Sequence, residues 1–264
     1  MTTTATPTTG APRPLVRPIT KDDVYESLHA GWLDFRAAPQ FGLFFGAVYA
    51  LCGIAIFLEL WRLEQPLWIV PLALAFPLIG PFLAIGLYEV SRRREAGEPL
   101  DWAGVLGVIW AERNRQMPMM AFVMLAGFLI WMWFARLILA IFLGRMRFAV
   151  YSDIDILFTT GAGLGMLVVG TLVGGAIALA LFSVTAVSLP LLLDREVDFV
   201  TAMATSVEAV KRNPLPMLTW ALVIAVSLAA AMVPFFLGLL VALPVLGHAT
   251  WHLYRRVIAP LPHG

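Results

Sequence analysis

PLPMLTWALVIAVSLAAAMVPFFLGLLVALPVLGHATWHLY (214–254) runs for 41 residues without one Asp, Glu, Lys or Arg. A helix needs about 20 apolar residues to cross the hydrocarbon of a bilayer, so this run has room for two short spans. Pro234 and Gly238 supply turn signals near its middle. We therefore divide the run into two predicted spans, 214–232 and 235–255.

The composition of the whole chain agrees with a membrane protein. Of its 264 residues, 60% are hydrophobic and 13% are charged, whereas an average soluble domain is about 25% charged. This excludes a soluble, a disordered and a disulfide-rich protein. The net charge of +1 gives no basic field for nucleic acid. Cys52 is the only cysteine, so we interpret it as a packing residue.

Four further spans follow from the other uncharged runs. The 38-residue run 156–193 is kept as one helix with an interfacial lead-in, because its small, loop-like residues lie at one end. The sequence therefore predicts an all-α membrane protein with six spans, at 40–61, 66–90, 117–143, 162–190, 214–232 and 235–255.

The distribution of basic residues sets the orientation. With both termini in the cytoplasm, 14 of the 18 Lys and Arg residues lie in inside segments, as the positive-inside rule requires. Dividing the run 156–193 instead would place Arg195, Lys211 and Arg212 outside. We therefore predict a bacterial inner-membrane protein with cytoplasmic N- and C-termini.

An internal pattern recurs before spans one, three and five. An aspartate, Asp23, Asp101 or Asp198, precedes a span-opening proline by 16 or 17 residues, and it suits an N-cap or first-turn position. Apolar residues follow on one helical face; they are Val24, Leu28 and Trp32, then Trp102, Leu106 and Trp110, then Phe199, Met203 and Val207. We interpret each unit as an amphipathic interfacial helix followed by a helical hairpin, with chance similarity as the alternative.

This pattern predicts the domain organisation. Residues 1–20, rich in Thr and Pro, form a disordered cytoplasmic tail. A single integral-membrane domain covers 21–258 and a short tail covers 259–264. The domain comprises three units with pseudo-threefold symmetry, at about 21–95, 100–194 and 197–258.

Three stretches carry a family resemblance: GWLDFRAAPQFGLFFGAVYAL (31–51), GPFLAIGLYEVSRRREAGEPLDW (80–102) and LDREVDFVTAMATSVEAVKRNP (193–214). Over roughly 20–258 the chain resembles the proteobacterial integral-membrane family known as domain of unknown function 2189. The resemblance implies an inner-membrane location. It implies no catalytic residue, since none is assigned in that family.

Two constellations have a functional and a structural interpretation. His248 and His252 share one face of the last span and could hold a metal or a haem, although with Trp251 and Tyr254 they also fit an interfacial belt. Arg136 is the only charge well inside a span. It is either a snorkelling anchor or part of a transport or partner site.

The remaining motifs are weaker. Met117, Met119, Met120 and Met124 could bind Cu(I) but suit packing. Small-residue pairs permit close helix contact; they are Gly42 with Gly46, Gly161 with Gly165, and Gly170 with Gly174. Asp153 and Asp155 are expected in a solvated outside loop, and Glu89 with Arg92 and Arg93 in an exposed cluster at the membrane surface.

No motif for catalysis or nucleotide binding occurs in the sequence. We expect a non-enzymatic scaffold, assembly or accessory factor with no catalytic, cofactor or metal site. Its expected partners are the lipid bilayer and either another membrane protein or a second copy of the chain. The alternative is a small solute transporter or channel, suggested by the proline-kinked second span.

Overall fold

The computed structural model describes residues 14–62, 69–144 and 155–260, and side chains are described outside 59–62 and 69–78. These residues form helices joined by short connections, with one isolated antiparallel bridge between Val16 and Ile258. The all-α prediction is confirmed for this part of the chain. The helices are α1 (Lys21–Ala37), α2 (Pro39–Arg62), α3 (Ile69–Ala96), α4 (Trp102–Glu112), α5 (Met117–Leu143), α6 (Ile156–Thr159), α7 (Gly161–Thr185), α8 (Ser188–Asp194), α9 (Phe199–Arg212), α10 (Pro214–Met232) and α11 (Leu239–Val257).

Several of these helices are long and apolar enough to cross a membrane. By length and composition the described residues contain four such segments: Pro39–Leu58, Met117–Leu143, Gly161–Asp194 and Pro214–Met232. They coincide with four of the predicted spans. The other two predicted spans correspond to α3 and α11, which are helical but are not among the four. The predicted terminal tails and the loop with Asp153 lie largely outside the described residues.

Local sequence explains where the helices begin. Thr20 and Asp23 form a reciprocal capping box at α1, and Asp101 and Asp198 cap α4 and α9 by accepting hydrogen bonds from backbone N–H groups. These side chains satisfy donors that the first helical turn leaves free. The prediction that the three aspartates occupy N-cap or first-turn positions is confirmed.

The prolines begin the long helices, as the sequence predicts. Pro39 and Pro214 are the first residues of α2 and α10, and Pro118 is the second residue of α5. Proline suits the first turn because the N–H group that it lacks has no intrahelical partner there. The connections from α1 to α2 and from α9 to α10 are therefore short, with one residue between the helices in each case.

Helix α11 lies at the centre of the packing, where α1, α2 and α3 cover it. At the crossing with α1, a Cβ added to Gly31 would lie 2.5 Å from the backbone nitrogen of Ala249. Glycine therefore permits the two backbones to meet. Trp251 and Tyr254 of α11 are 1% exposed. The prediction that they form an interfacial belt is wrong, because α11 is surrounded by protein at this end.

The amphipathic helices α1, α4 and α9 each have a buried face that the apolar pattern of the sequence does not predict. The buried positions lie 4, 8 and 11 residues after the three aspartates; they are Ser27, Gly31 and Asp34 on α1, Val105, partly buried Ile109 and Glu112 on α4, and Ala202, Ser206 and Ala209 on α9. The predicted lipid face is exposed on α4, at Trp102, Leu106 and Trp110. On α1 the predicted lipid face is only partly exposed, because Val24 is buried in the core.

Candidate functional site: a buried polar cluster between α1, α3 and α11

Asp34 of α1 is the centre of a polar cluster that no motif in the sequence predicts. Its Oδ1 accepts a hydrogen bond of 2.8 Å from Nε of Arg94 on α3, and its Oδ2 lies 2.8 Å from Nε2 of His252 on α11. Asp34 is 6% exposed. One carboxylate therefore joins three helices that are distant in the sequence.

The electrostatic state of Asp34 follows from these contacts. Burial of the carboxylate favours its neutral form, but hydrogen bonds from His252, Ser91 and Arg94 outweigh burial and lower the pKa of Asp34 to about 2. Hydrogen bonding to the ionised form has this effect whenever it exceeds desolvation. At neutral pH the site therefore holds a buried carboxylate paired with a guanidinium.

His248 lies one helical turn before His252 and has a different partner. Its Nδ1 is 2.8 Å from Oγ of Ser91 on α3, and both residues are fully buried. The shared helical face predicted for the two histidines is present, but each ring is engaged by its own hydrogen bond. Within the described chain, no group of three or more His, Cys, Asp or Glu side chains could hold a metal ion.

A second buried carboxylate, that of Glu89, lies where the sequence predicted an exposed cluster. Glu89 of α3 is 0% exposed, and its two oxygens accept hydrogen bonds of 2.7 Å and 2.6 Å from Nε of Arg92 and Nε of Arg93. The expected exposed cluster is therefore wrong for Glu89. Two guanidiniums cover the buried carboxylate and supply the compensation that a buried charge needs.

Further ion pairs fasten the end of α11 to its neighbours. Trp251 Nε1 and Arg255 Nε donate to Glu95, Tyr254 OH donates to Asp194 at 2.6 Å, and Arg256 pairs with Asp23 and Glu26. We call the whole set the polar cap; it comprises Asp23, Glu26, Asp34, Glu89, Ser91, Arg92, Arg93, Arg94, Glu95, Asp194, His248, Trp251, His252, Tyr254, Arg255 and Arg256.

The chemistry open to the cluster is set by its enclosure. A serine, a histidine and an aspartate are close together, but Ser91 contacts Nδ1 of His248, while Asp34 is hydrogen-bonded to Ser91 itself and to His252. The aspartate thus does not orient the histidine that the serine contacts, as a hydrolytic triad would require. The arrangement is that of a fastening between helices, with its charges paired and its serine out of contact with solvent.

The remaining candidates are not brought together with this cluster. Met117 and Met120 are fully buried in the core, while Met119 is 49% exposed on another side of α5. Gly46 lies close to Leu240 where α2 packs on α11. Cys52 is partly buried. The methionines therefore pack in different environments, and the first glycine pair supports close helix contact.

Arg136 and the glycine-rich face of α7 line a cavity of about 580 Å³ between α5 and α7. The cavity lies away from the polar cap, and its other lining residues on α5 are apolar; they include Trp131, Ala135 and Leu139. The two predicted features, an intramembrane charge and a small-residue pair, therefore occupy the same place in the fold.

Comparison with known proteins agrees with the architecture. Residues 69–194 match the family model described as "Predicted integral membrane protein (DUF2189)". The resemblance to DUF2189 is confirmed for this segment, which runs from α3 through α8. No curated protein and no solved structure matches the chain. The DUF2189 match includes Ser91 and Arg94, whereas Asp34, His248 and His252 lie outside it.

Proposed function

We propose that this integral membrane protein is a non-enzymatic scaffold or accessory factor that offers a helix surface to another membrane protein. The observation that carries the proposal is the state of α7. In the most apolar 18-residue stretch of Gly161–Asp194, no residue is buried inside the fold. Val168 and Leu172 of this helix are more than half exposed. A span with so little cover inside its own fold has a face available for a partner.

Six spans and a pseudo-threefold arrangement are part of this proposal. Each amphipathic helix packs mainly on the second long helix of the preceding unit: α1 on α11, α4 on α3, and α9 on α7. The length of α3, 28 residues, corresponds to about 42 Å, and the 19 residues of α11 to about 28 Å. Both lengths support helices that cross the membrane.

In these pairs each unit packs on the one before it, and the first unit packs on the third, so the three units are in cyclic order. The same order explains why α7 is uncovered. At two junctions between units the long helices meet, α2 with α11 and α5 with α3. The corresponding pair at the third junction is α7 and α10, and their described residues make no comparable contact. The incomplete junction is where we place the partner surface.

Cysteine labelling tests the orientation. We propose that the polar cap is cytoplasmic, with both termini on that side. In a Cys52→Ala background, Glu98→Cys in the α3–α4 connection should react with a membrane-impermeant maleimide only from the cytoplasmic side, and Leu237→Cys before α11 only from the outside. The reverse pattern would place the polar cap and both termini on the outside, and labelling of both positions from the same side would indicate that α11 does not cross.

Photocrosslinking in native membranes tests the scaffold. A photoreactive residue at Leu172 should give one adduct of defined mass, and the partner should co-purify in mild detergent. Leu51 of α2, 65% exposed against 68% for Leu172, is the matched control and should give none. A self-adduct would identify the partner as a second copy. A solitary monomer that moves a solute in liposomes would contradict the proposal.

The alternative is a small transporter or channel, and Arg136 is the observation that favours it. A charge in a cavity between two spans is a common feature of substrate pathways. The polar cap argues for the scaffold, because its buried carboxylates Asp34 and Glu89 are each held by guanidiniums. Solute flux in liposomes that is abolished by Arg136→Gln would support the transporter.

A further inference from the structure

The cavity between α5 and α7 has one charged group in an apolar surface. Arg136 lines it together with Trp131 and Met132 of α5, and Gly170, Thr171 and Gly174 of α7. Its volume of about 580 Å³ lies within the range of about 300–1,000 Å³ that is usual for small-molecule sites. The cavity therefore has the size and polarity of a site for an amphiphile.

The Arg136 guanidinium has no counter-ion within the chain as described. None of the described carboxylates forms an ion pair with it, and the other side chains that line the cavity carry no charge. A cation inside a membrane span without an opposite charge is costly. Among the described residues this charge therefore has no anion of its own, and it is complementary to an anion that a ligand supplies.

The depth of Arg136 shows where that anion lies. Arg136 lies seven positions before Leu143, the last residue of α5, or about 10 Å along the helix axis. The 27 residues of α5 span about 40 Å, against a hydrocarbon thickness of about 30 Å. A centred α5 places the Arg136 Cα about 5 Å inside the boundary. From there the side chain reaches headgroup level.

From Arg136 the cavity extends towards the membrane centre beside Trp131 and Gly174, and also towards the end of α5 beside Leu139. Gly174 lies against the ring of Trp131, while a Cβ added to Gly170 or Gly175 would meet nothing within 4 Å. Missing side chains thus create the open volume, and its walls are apolar. An acyl chain fits such a surface, whereas a soluble anion would leave the walls uncovered.

We propose that the cavity binds one anionic phospholipid in the leaflet opposite the polar cap, with its phosphate on Arg136 and an acyl chain along Gly170–Gly175. A second copy of this chain is the less suitable occupant, because a two-fold contact through this surface would bring two Arg136 side chains together. This site lies on a different face of α7 from Leu172 and is independent of the proposed scaffold.

Native mass spectrometry of the full chain tests the proposal. Protein purified in mild detergent with equal amounts of phosphatidylglycerol and phosphatidylcholine should retain one phosphatidylglycerol. Arg136→Gln should reduce that retention at least tenfold, and Arg136→Lys should keep part of it. Gly170→Leu should also abolish it although the charge is intact. Leu172→Phe, on the other face of α7, is the control and should retain the lipid.

Three results would overturn the proposal. One is equal retention by the wild type and Arg136→Gln; another is displacement of the lipid by inorganic phosphate, which would indicate a site for a free anion. The third is a change of oligomeric state in Arg136→Gln, which would indicate a second copy. Unfolding temperatures of all variants exclude misfolding as the cause of lipid loss. They are expected within about 2 °C of the wild type, because Arg136 and Leu172 are exposed and a Cβ at Gly170 meets nothing within 4 Å.

Discussion

Replacing Asp34 by asparagine should destabilise the protein by about 2–3 kcal/mol. The substitution keeps the size of the side chain but removes the charge that Arg94 and His252 face. Lowering the Asp34 pKa from 3.8 to about 2 corresponds to about 2 kcal/mol, at 1.36 kcal/mol for each pKa unit. Breaking a buried ion pair costs about 3–5 kcal/mol. Arg94 is 31% exposed and can be rehydrated, so we expect a loss at or below the lower end of that range, about 2–3 kcal/mol.

Thermal unfolding in detergent, followed by intrinsic tryptophan fluorescence, measures this effect. A loss of about 2–3 kcal/mol should lower the unfolding temperature of Asp34→Asn by roughly 5–10 °C. Asp22→Asn is the matched control, since Asp22 is an exposed carboxylate on the same helix, and it should change stability by less than about 0.5 kcal/mol. Equal unfolding temperatures for the two variants would refute the assignment of Asp34 as a fastening between helices.

The pH dependence gives the same prediction a second readout. The folded-state pKa of Asp34 lies below its unfolded value, so its contribution is complete above about pH 4 and is lost as the pH falls towards 2. Wild-type protein should therefore lose part of its stability over this window. Asp34→Asn should lose less, because its amide does not titrate. Parallel acid profiles for the two proteins would contradict the low pKa.

Two smaller effects follow from the backbone of the amphipathic helices. Gly31→Ala should destabilise the protein by about 1–3 kcal/mol in urea or thermal unfolding, because its Cβ would press on the Ala249 backbone. Gly107→Ala should be neutral or slightly stabilising, because its added Cβ would meet nothing within 4 Å. Equal losses of stability in the two variants would contradict the close crossing of α1 and α11. Asp198→Ala should cost about 1 kcal/mol, because the Thr201 N–H loses its acceptor, and helical content by circular dichroism should otherwise be kept.

The sequence predicted the features that depend on neighbouring residues. Capping by Asp101 and Asp198, and helix starts at Pro39 and Pro214, each involve partners within one turn. The positions of four apolar spans follow from length and hydropathy alone. The polar cap could not be found in this way, because the contact from Asp34 to His252 crosses 218 residues. Hydropathy also does not distinguish a helix surrounded by lipid from one surrounded by protein, and α11 is of the second kind at its C-terminal end.

A signal for Asp34 was nevertheless present in the repeat. Position 11 after each aspartate is Asp34, Glu112 and Ala209, and all three are buried. Each carboxylate is paired, Asp34 with Arg94 and Glu112 with Arg115. The two carboxylates differ in how strongly their partners stabilise the ionised form. Burial raises the pKa of Glu112 despite Arg115, whereas Asp34 has donors from two other helices and its pKa falls. A buried acid at a repeated position thus stabilises the fold only where neighbouring helices supply its donors, which is why α1, and not α4, is fastened to the centre of the bundle.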